Sequence, residues 1–285
     1  MKSALEQSVK EKIKVLAKER DTTFTELWRN LILERFLTRL AHSPYKDKFV
    51  LKGGTMLAKY IYIGRETQDL DFFVQKLSNV EHSLRNAIRS ICEIDVHDSF
   101  SFEVTKIKIL DHSQLAYTGA EITLLATFGA TKTAMRMDLG FGDQVEPIEY
   151  SIGLTATSKG PLFQNTILLQ CYPKEFIFAE KLETVVFRGS GNTRMKDFHD
   201  LYSLVHLDVL NALLARQAIQ LVFHHRKTPI STLPISFDKE AFKLLEQGWS
   251  AYRRKINSTK ALFPLPDSVE DILGVVNYWL RECLQ

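Results

Sequence analysis

Residues 49–74 read FVLKGGTMLAKYIYIGRETQDLDFFV. The apolar run Phe49–Leu51 predicts a short strand, and the two glycines that follow suit a tight turn. Thr55–Tyr62 has the composition of a helix, and Asp69–Val74 predicts a second strand. The stretch therefore predicts a strand, a turn and a helix, followed by a strand that carries two aspartates.

Two carboxylates leave the same face of this second strand. Asp69 and Asp71 are two residues apart, which separates them by roughly 7 Å along the chain. Two like charges on one face repel, and a divalent cation between them removes the repulsion. Mg²⁺ is commonly held by one or two carboxylates together with substrate phosphates. A solvated strand edge is the alternative interpretation of an Asp-x-Asp pair standing alone.

The glycine turn lies close to these aspartates in the sequence. Thr55 precedes Asp69 by 14 residues. A Gly-Gly turn that opens a helix offers backbone N–H groups, and here the Thr55 hydroxyl, to phosphate oxygens. A simple turn is the alternative. Asp138, in a strand predicted over 134–139, would complete a metal-binding trio if the two strands adjoin.

The residues around this stretch predict helices before it and strands after it. The apolar stripe over residues 4–19 indicates an amphipathic helix. Thr23, with Glu26 three residues later, predicts the capping box of a second helix that runs through Phe36. Further predicted elements are a helix over 77–94 and strands over 102–109, 121–128 and 134–139.

The character of the chain changes at Pro173, after which the pattern is helical. Gly189 is well placed to end the first of these helices. The predicted helices cover 174–188, 196–206, 209–225, 238–255 and 267–283. We expect an α+β fold, with a mixed β-sheet domain and flanking helices over 1–170 and a helical C-terminal domain over 171–285.

The composition is that of a globular protein. Hydrophobic residues make up 45% of the chain and charged residues 25%, which excludes disordered and collagen-like classes. The 37 basic and 34 acidic residues give a net charge of +3, far from the excess of a chain that coats nucleic acid. Any contact with RNA must therefore use a local basic patch.

The cysteines and the hydropathy pattern bear on the compartment. Cys92, Cys171 and Cys283 are odd in number and include no Cys-x-x-Cys pair, which excludes a disulfide framework or a zinc knuckle. The N-terminus has no apolar signal core, and no run reaches the ~18 apolar residues that span a bilayer. We expect a cytoplasmic protein without a membrane partner.

Three blocks of sequence stand in a specific order. They are VLKGGTML at 50–57, RETQDLDF at 65–72, and FAEKLE at 178–183 with RMKDFHDLY at 194–202. These blocks resemble the nucleotidyltransferase-fold toxins of the AbiEii/AbiGii type, which include the MenT enzymes and belong to the DNA polymerase β-like superfamily. The chain departs from the family pattern at Gln68, where a serine or threonine is common.

The resemblance implies a nucleotidyltransferase-fold sheet domain with a helical domain that closes over it. Asp69 and Asp71 would bind Mg²⁺ or Mn²⁺ carrying an NTP, and Asp138 would orient or deprotonate the attacking hydroxyl. Lys181 would act with a later aspartate, either Asp197 or Asp200. The residues expected to contact the nucleotide are Lys52, Gly53, Gly54, Thr55, Arg65 and Lys196, the last of which shares a helix face with Asp200.

The implied function is that of a toxin in a toxin–antitoxin or abortive-infection system. Such an enzyme would transfer nucleotides from an NTP to the 3′ end of tRNA and so block translation, and a separately encoded antitoxin would restrain it. One alternative is a non-catalytic module that binds NTP or nucleic acid. The other is a transferase that modifies a protein.

Overall fold

The computed structural model describes residues 4–111, 118–256 and 263–285. The chain forms two compact units. The sheet unit contains the described residues up to Lys59 together with Glu66–Asp143 and Pro147–Tyr172. The helical unit contains Tyr60–Arg65, Gln144–Glu146 and the described residues from Pro173 onward. Two short pieces from before Pro173 therefore pack with the C-terminal helices, which the sequence did not indicate.

In the described part of the chain, four helices belong mainly to the sheet unit. They are α1 (Ala4–Glu19), α2 (Phe24–Ala41), α3 (Gly53–Tyr60) and α4 (Glu81–Cys92). The predicted capping box of α2 is confirmed on its Thr23 side, because the Thr23 hydroxyl oxygen accepts a hydrogen bond from the Glu26 backbone N–H at 3.1 Å. α2 is buried along most of its length, including its charged residues Arg35 and Arg39.

Seven strands form one mixed sheet. They are β1 (Phe49–Lys52), β2 (Leu70–Val74), β3 (Phe100–Asp111), β4 (Thr118–Phe128), β5 (Thr131–Phe141), β6 (Ile148–Gly153) and β9 (Thr166–Cys171), in the order β3-β4-β5-β2-β1-β9-β6. The pairs β2–β5 and β1–β9 are parallel and the others are antiparallel. A separate ribbon joins β7 (Ala156–Thr157) to β8 (Gly160–Pro161).

The core of the sheet unit sits on both faces of the central strands. Phe49, Val50 and Leu51 of β1 are all buried. In β2, the residue Asp71 is the only one that keeps partial exposure. Such nearly continuous apolar strands are typical of a sheet covered on both faces. The Asp71 side chain is therefore an exception within an otherwise apolar strand.

Among the residues that the structure describes, five helices build the helical unit. They are α5 (Lys174–Arg188), α6 (Met195–His206), α7 (Ala212–His225), α8 (Lys239–Lys255) and α9 (Val269–Cys283). Gly189 caps α5 with φ +54°, as its position in the sequence predicts. Pro173 precedes α5 as its N-cap and is not its first helical residue. No helix in the described ranges has the length and apolar character needed to cross a bilayer.

The sequence-based element boundaries differ from the structure in several places. Asp69 lies one residue before β2 and not inside it. The helix predicted from Thr55 begins at Gly53, and the helix predicted from residue 77 begins at Glu81. Strands β6 to β9 were not predicted. These strands are short and show no clear alternation of apolar and polar residues. β9 lies beside β1 because of pairing between residues that are distant in the sequence.

Candidate active site

A row of charged residues crosses the sheet. Lys52 pairs in register with Asp71, and Asp71 pairs with Asp138 on the neighbouring parallel strand. Asp138 pairs in turn with Glu121, and Glu121 pairs with Lys108 at the edge of the sheet. Residues paired in register project from the same face of a sheet. The two aspartates that the sequence could only suppose to be close are therefore direct neighbours.

Asp69 stands just outside this row, at the end of the segment that leads into β2. Its backbone carbonyl oxygen accepts a hydrogen bond of 2.8 Å from the Thr55 hydroxyl. A hydroxyl has a single proton to donate, so this bond uses the proton that the sequence analysis assigned to a phosphate. Thr55 thus holds the backbone of Asp69 in place. The Asp69 carboxylate also forms an exposed ion pair of 3.3 Å with Arg136.

The first glycine of the turn is required by the Asp71 side chain. Gly53 has φ +67°, and a Cβ atom on it would lie 2.1 Å from Oδ2 of Asp71. The Asp71 carboxylate therefore lies against the backbone that opens α3. Gly54 follows in the first turn of the same helix. Only glycine permits both this backbone conformation and this close approach.

The electrostatics of the row raise the pKa of one carboxyl group. Although Asp138 is an exposed residue, neighbouring atoms remove water from its carboxyl group, and Asp71, Asp69 and Glu121 add like charge. These effects raise the pKa of Asp138 to about 6, against a smaller opposing effect of Arg136. Mutual repulsion of this kind is relieved by a bound cation.

The donor set fits a divalent ion that is bound together with a substrate. Within the described residues, no three or more His, Cys, Asp or Glu side chains gather closely enough to enclose an ion. Mg²⁺ does not require such a cage, since it commonly uses one or two carboxylates, water and substrate phosphates. Asp69 and Asp71, beside Asp138, provide oxygen ligands of this kind.

Lys52 is held at the end of β1 by two residues that the sequence analysis missed. Its ammonium group donates to Oδ2 of Asp143 at 2.7 Å, and the Tyr172 hydroxyl donates to the same oxygen at 2.5 Å. The ammonium group also lies 4.8 Å from the centre of the Tyr172 ring. Asp143 follows β5 and Tyr172 follows β9. The one sequence feature that could have indicated this contact is the position of an aspartate shortly after a predicted strand.

The second group of predicted residues meets inside the helical unit. The Lys181 ammonium group of α5 lies 2.9 Å from Oδ1 of Asp197 and 2.7 Å from Oδ2 of Asp200, both on α6. Arg65 donates to both oxygens of Asp200, at 2.8 and 2.6 Å. Arg194 donates to Oδ2 of Asp197 at 2.7 Å. Both aspartates that the sequence offered as alternatives thus contact Lys181.

The charged groups that make these contacts are buried, which strengthens the electrostatic interactions between them. Asp200 is 0% exposed, Asp197 1% and Lys181 8%. Burial alone would raise the pKa of Asp200, but Lys181 and Arg65 hold it far below its usual range. The pKa of Lys181 is likewise above its ordinary value, because Asp200 and Asp197 outweigh the effect of its burial. All of these groups therefore carry their charges at neutral pH.

Lys196 differs from this buried cluster in its exposure to solvent. It is exposed on α6, whereas Asp200, four residues later, is fully buried. The helical spacing of four residues placed the two on one face, but the buried carboxylate turns to Lys181 and Arg65. On the buried side of α6, Nδ1 of His199 lies 2.9 Å from the hydroxyl oxygen of Tyr252 on α8.

Comparison with known proteins identifies the family. The model of the nucleotidyl transferase AbiEii toxin of type IV toxin–antitoxin systems matches residues 35–275. The chain belongs to this family. The AbiEii assignment confirms the resemblance seen in the sequence blocks, and it makes the protein a nucleotidyltransferase that uses an NTP and has an antitoxin partner.

Two solved structures resemble this chain to different degrees. The MenT4 nucleotidyltransferase toxin of Mycobacterium tuberculosis superposes with a TM-score of 0.55 at 14% identity, covering 93% of this chain and 99% of that one. JHP933 from Helicobacter pylori gives a TM-score of 0.46 at 14% identity, covering 92% and 93%. Among curated proteins, none matches the sequence. The likeness to MenT4 supports the predicted α+β nucleotidyltransferase fold.

Proposed function

We propose that this AbiEii-family enzyme transfers nucleotides from an NTP to RNA, with the 3′ end of tRNA as the acceptor, and thereby blocks translation in the cytoplasm. The observation that carries the proposal is the pairing of Asp71 with Asp138 on adjacent parallel strands, with Asp69 immediately before the first strand. This places carboxylates together beside the glycine turn, as nucleotidyl transfer requires.

The sheet unit supplies the reacting centre in this proposal. Asp69 and Asp71 hold Mg²⁺ or Mn²⁺, which when bound neutralises charge on the triphosphate. Asp138 orients the 3′ hydroxyl and accepts its proton as the oxygen bonds to the α-phosphorus and pyrophosphate leaves. The backbone N–H groups of Gly53 and Gly54, at the opening of α3, bind phosphate oxygens.

The helical unit supplies positive charge. In this proposal Lys181 and Arg65 bind phosphate groups of the substrates. Asp197 and Asp200 act through them, because these buried carboxylates keep the cations charged and fixed in place. Lys196 is exposed on the same helix as the aspartates. In this proposal its side chain contacts the nucleotide.

The test is a labelling assay on purified protein. The wild-type enzyme and Asp71→Asn are incubated with Mg²⁺, total RNA and each α-³²P-labelled NTP in turn, and RNA and protein are resolved on separate gels. Asp95→Asn is the matched control, because it removes the same charge from a side chain that is 72% exposed. We expect tRNA-sized label with the wild type and the control, and none with Asp71→Asn or with EDTA.

Other outcomes redirect or overturn the proposal. Label on protein that depends on Asp71 would replace the RNA acceptor with a protein. Binding of NTP without any labelled product would indicate a non-catalytic module. Expression of the wild type should also inhibit growth, and Asp71→Asn should relieve the inhibition. Growth inhibition that persists with Asp71→Asn would separate toxicity from transfer.

A further inference from the structure

The contacts of Lys52, Asp143 and Tyr172 describe a cation that is fixed beside the reacting centre. Lys52 pairs in register with Asp71 and is followed directly by the glycine turn. Its ammonium group therefore belongs to the end of the sheet at which the acidic row and the opening of α3 meet. A cation at this place is suited to a phosphate group bound there.

The way in which Lys52 is held limits its freedom. Its side chain is 15% exposed and that of Asp143 is 11% exposed, so their hydrogen bond is poorly accessible to competing water. Tyr172, at 1% exposed, anchors the same oxygen of Asp143 with its hydroxyl and places its ring against the ammonium group. A lysine stem otherwise carries rotamer entropy that binding must remove.

The hydrogen bond to Asp143 is compatible with a ligand on Lys52. An ammonium group has three N–H donors and can donate to more than one oxygen, so a carboxylate partner and a phosphate oxygen can share it. The negative charge of Asp143 also offsets the charge of Lys52, which weakens its attraction for anions at long range. The contribution of the pair to nucleotide binding is then geometric, because a fixed donor loses little entropy when a phosphate arrives.

We infer that Asp143 and Tyr172 are positioning residues that hold the Lys52 ammonium group for a phosphate oxygen of the NTP. This inference rests on the proposed function, since it concerns the nucleotide of that reaction. The sign of the effect separates position from charge. If Asp143 acted only through its negative charge, its removal would tighten NTP binding. If Asp143 holds Lys52 in position, its removal weakens NTP binding.

A double-mutant cycle tests this coupling. Asp143→Ala, Lys52→Met and the double variant are compared for KM and kcat in the labelling assay, and for binding of α,β-methylene analogues of the four NTPs with Mg²⁺ by calorimetry. We expect Asp143→Ala to raise KM and the analogue Kd about tenfold, with kcat changed less than about threefold. In the Lys52→Met background the same substitution should change Kd less than about twofold.

Conservative variants distinguish positioning from a loss of structure. Asp143→Asn keeps an acceptor oxygen near Lys52 and should restore most of the affinity lost in Asp143→Ala. Tyr172→Phe keeps the ring and removes only the hydroxyl, so it should raise Kd by a smaller factor even if Asp143→Ala does not fold. Thermal unfolding of each variant identifies any that have lost their structure.

The outcomes separate this inference from the proposed function. An equal effect of Asp143→Ala in both backgrounds, or a lowered Kd, would overturn the role given to Asp143 and leave the transferase proposal standing. Absence of labelled product with every NTP, together with the expected coupling in analogue binding, would overturn the transferase proposal and leave the positioning role standing.

Discussion

Arg65 donates a hydrogen bond to each oxygen of the Asp200 carboxylate, which is fully buried. Lys181 contacts the same carboxylate at 2.7 Å, so a single anion serves two cations. Arg65 and Asp200 are 135 residues apart in the sequence, and the segment Tyr60–Arg65 belongs to the helical unit. Arg65, which stands four residues before Asp69 of the Asp-x-Asp motif, is thus part of the charge network of the C-terminal helices.

This arrangement predicts an order of stabilities. Asp200→Asn leaves both Lys181 and Arg65 buried with one anion fewer, and it should lower the free energy of unfolding by about 3–5 kcal/mol. Arg65→Met should cost less, because Asp200 keeps Lys181. Urea unfolding measures both, with the exposed Glu240→Gln as a control expected to cost less than about 1 kcal/mol. A larger loss with Arg65→Met than with Asp200→Asn would contradict this account.

The raised pKa of Asp138 predicts a dependence of stability on pH. Its pKa is about 6 in the folded protein and about 3.9 in an unfolded chain. Between these values the unfolded chain releases the proton first, so the contribution of Asp138 to stability falls as pH rises from about 4 to 6. Asp138→Asn lacks this loss, so its stability relative to the wild type should increase across that range and level off above it.

Urea midpoints measured from pH 4 to 8 in EDTA check this prediction. Asp95→Asn, which removes a carboxylate that lies outside the acidic row, is measured alongside as the control. A constant difference between Asp138→Asn and the wild type would show that Asp138 does not titrate as the acidic row requires. Added Mg²⁺ should reduce the difference at pH 8, because the ion relieves the repulsion among the carboxylates.

Local sequence patterns predicted most of the secondary structure. The apolar stripe of α1, the Thr23 cap of α2 and the Gly189 end of α5 each reflect interactions within a few residues, and all appear in the structure. The pairing of Asp71 with Asp138 is different in kind. The sequence supplied both carboxylates, but only the order of the strands makes them neighbours.

The missed residues have the same physical explanation. Asp143 and Tyr172 follow different strands and meet Lys52 only because β1, β5 and β9 end near one another. The role of Thr55 also depended on an unforeseen partner, the backbone carbonyl of Asp69. Such contacts join segments that are distant along the chain, and no periodicity or spacing encodes them.

The close approach of Gly53 to Asp71 predicts the effect of one added methyl group. Gly53→Ala places Cβ against the Asp71 carboxylate and imposes φ +67° on a residue with a side chain, a conformation that costs about 1–2 kcal/mol. Displacement of Asp71 by about 1 Å should lower transfer about a hundredfold. Gly153→Ala is the matched control, because its Cβ meets nothing within 4 Å. Equal activity of the two variants in the labelling assay would rule out this close approach.

Asp98 is a buried anion of the sheet unit. Its carboxylate accepts from Arg35 at 2.6 Å and from Arg39 at 2.9 and 2.7 Å, both on α2, and from the Phe100 backbone N–H at 2.9 Å. Burial opposes ionisation, yet the two arginines hold the pKa of Asp98 below its ordinary value. The carboxylate therefore fixes α2 against the start of β3.

Asp98→Asn should lower the free energy of unfolding by about 3–5 kcal/mol, because it leaves two buried guanidinium groups without their anion. Asp95→Asn, three residues earlier, removes the same charge from an exposed side chain and should cost less than about 1 kcal/mol. Urea unfolding of the two variants at pH 7 provides the comparison. Similar losses in both would mean that Asp98 stabilises the protein as a surface charge does, and that apolar packing alone holds α2 on the sheet.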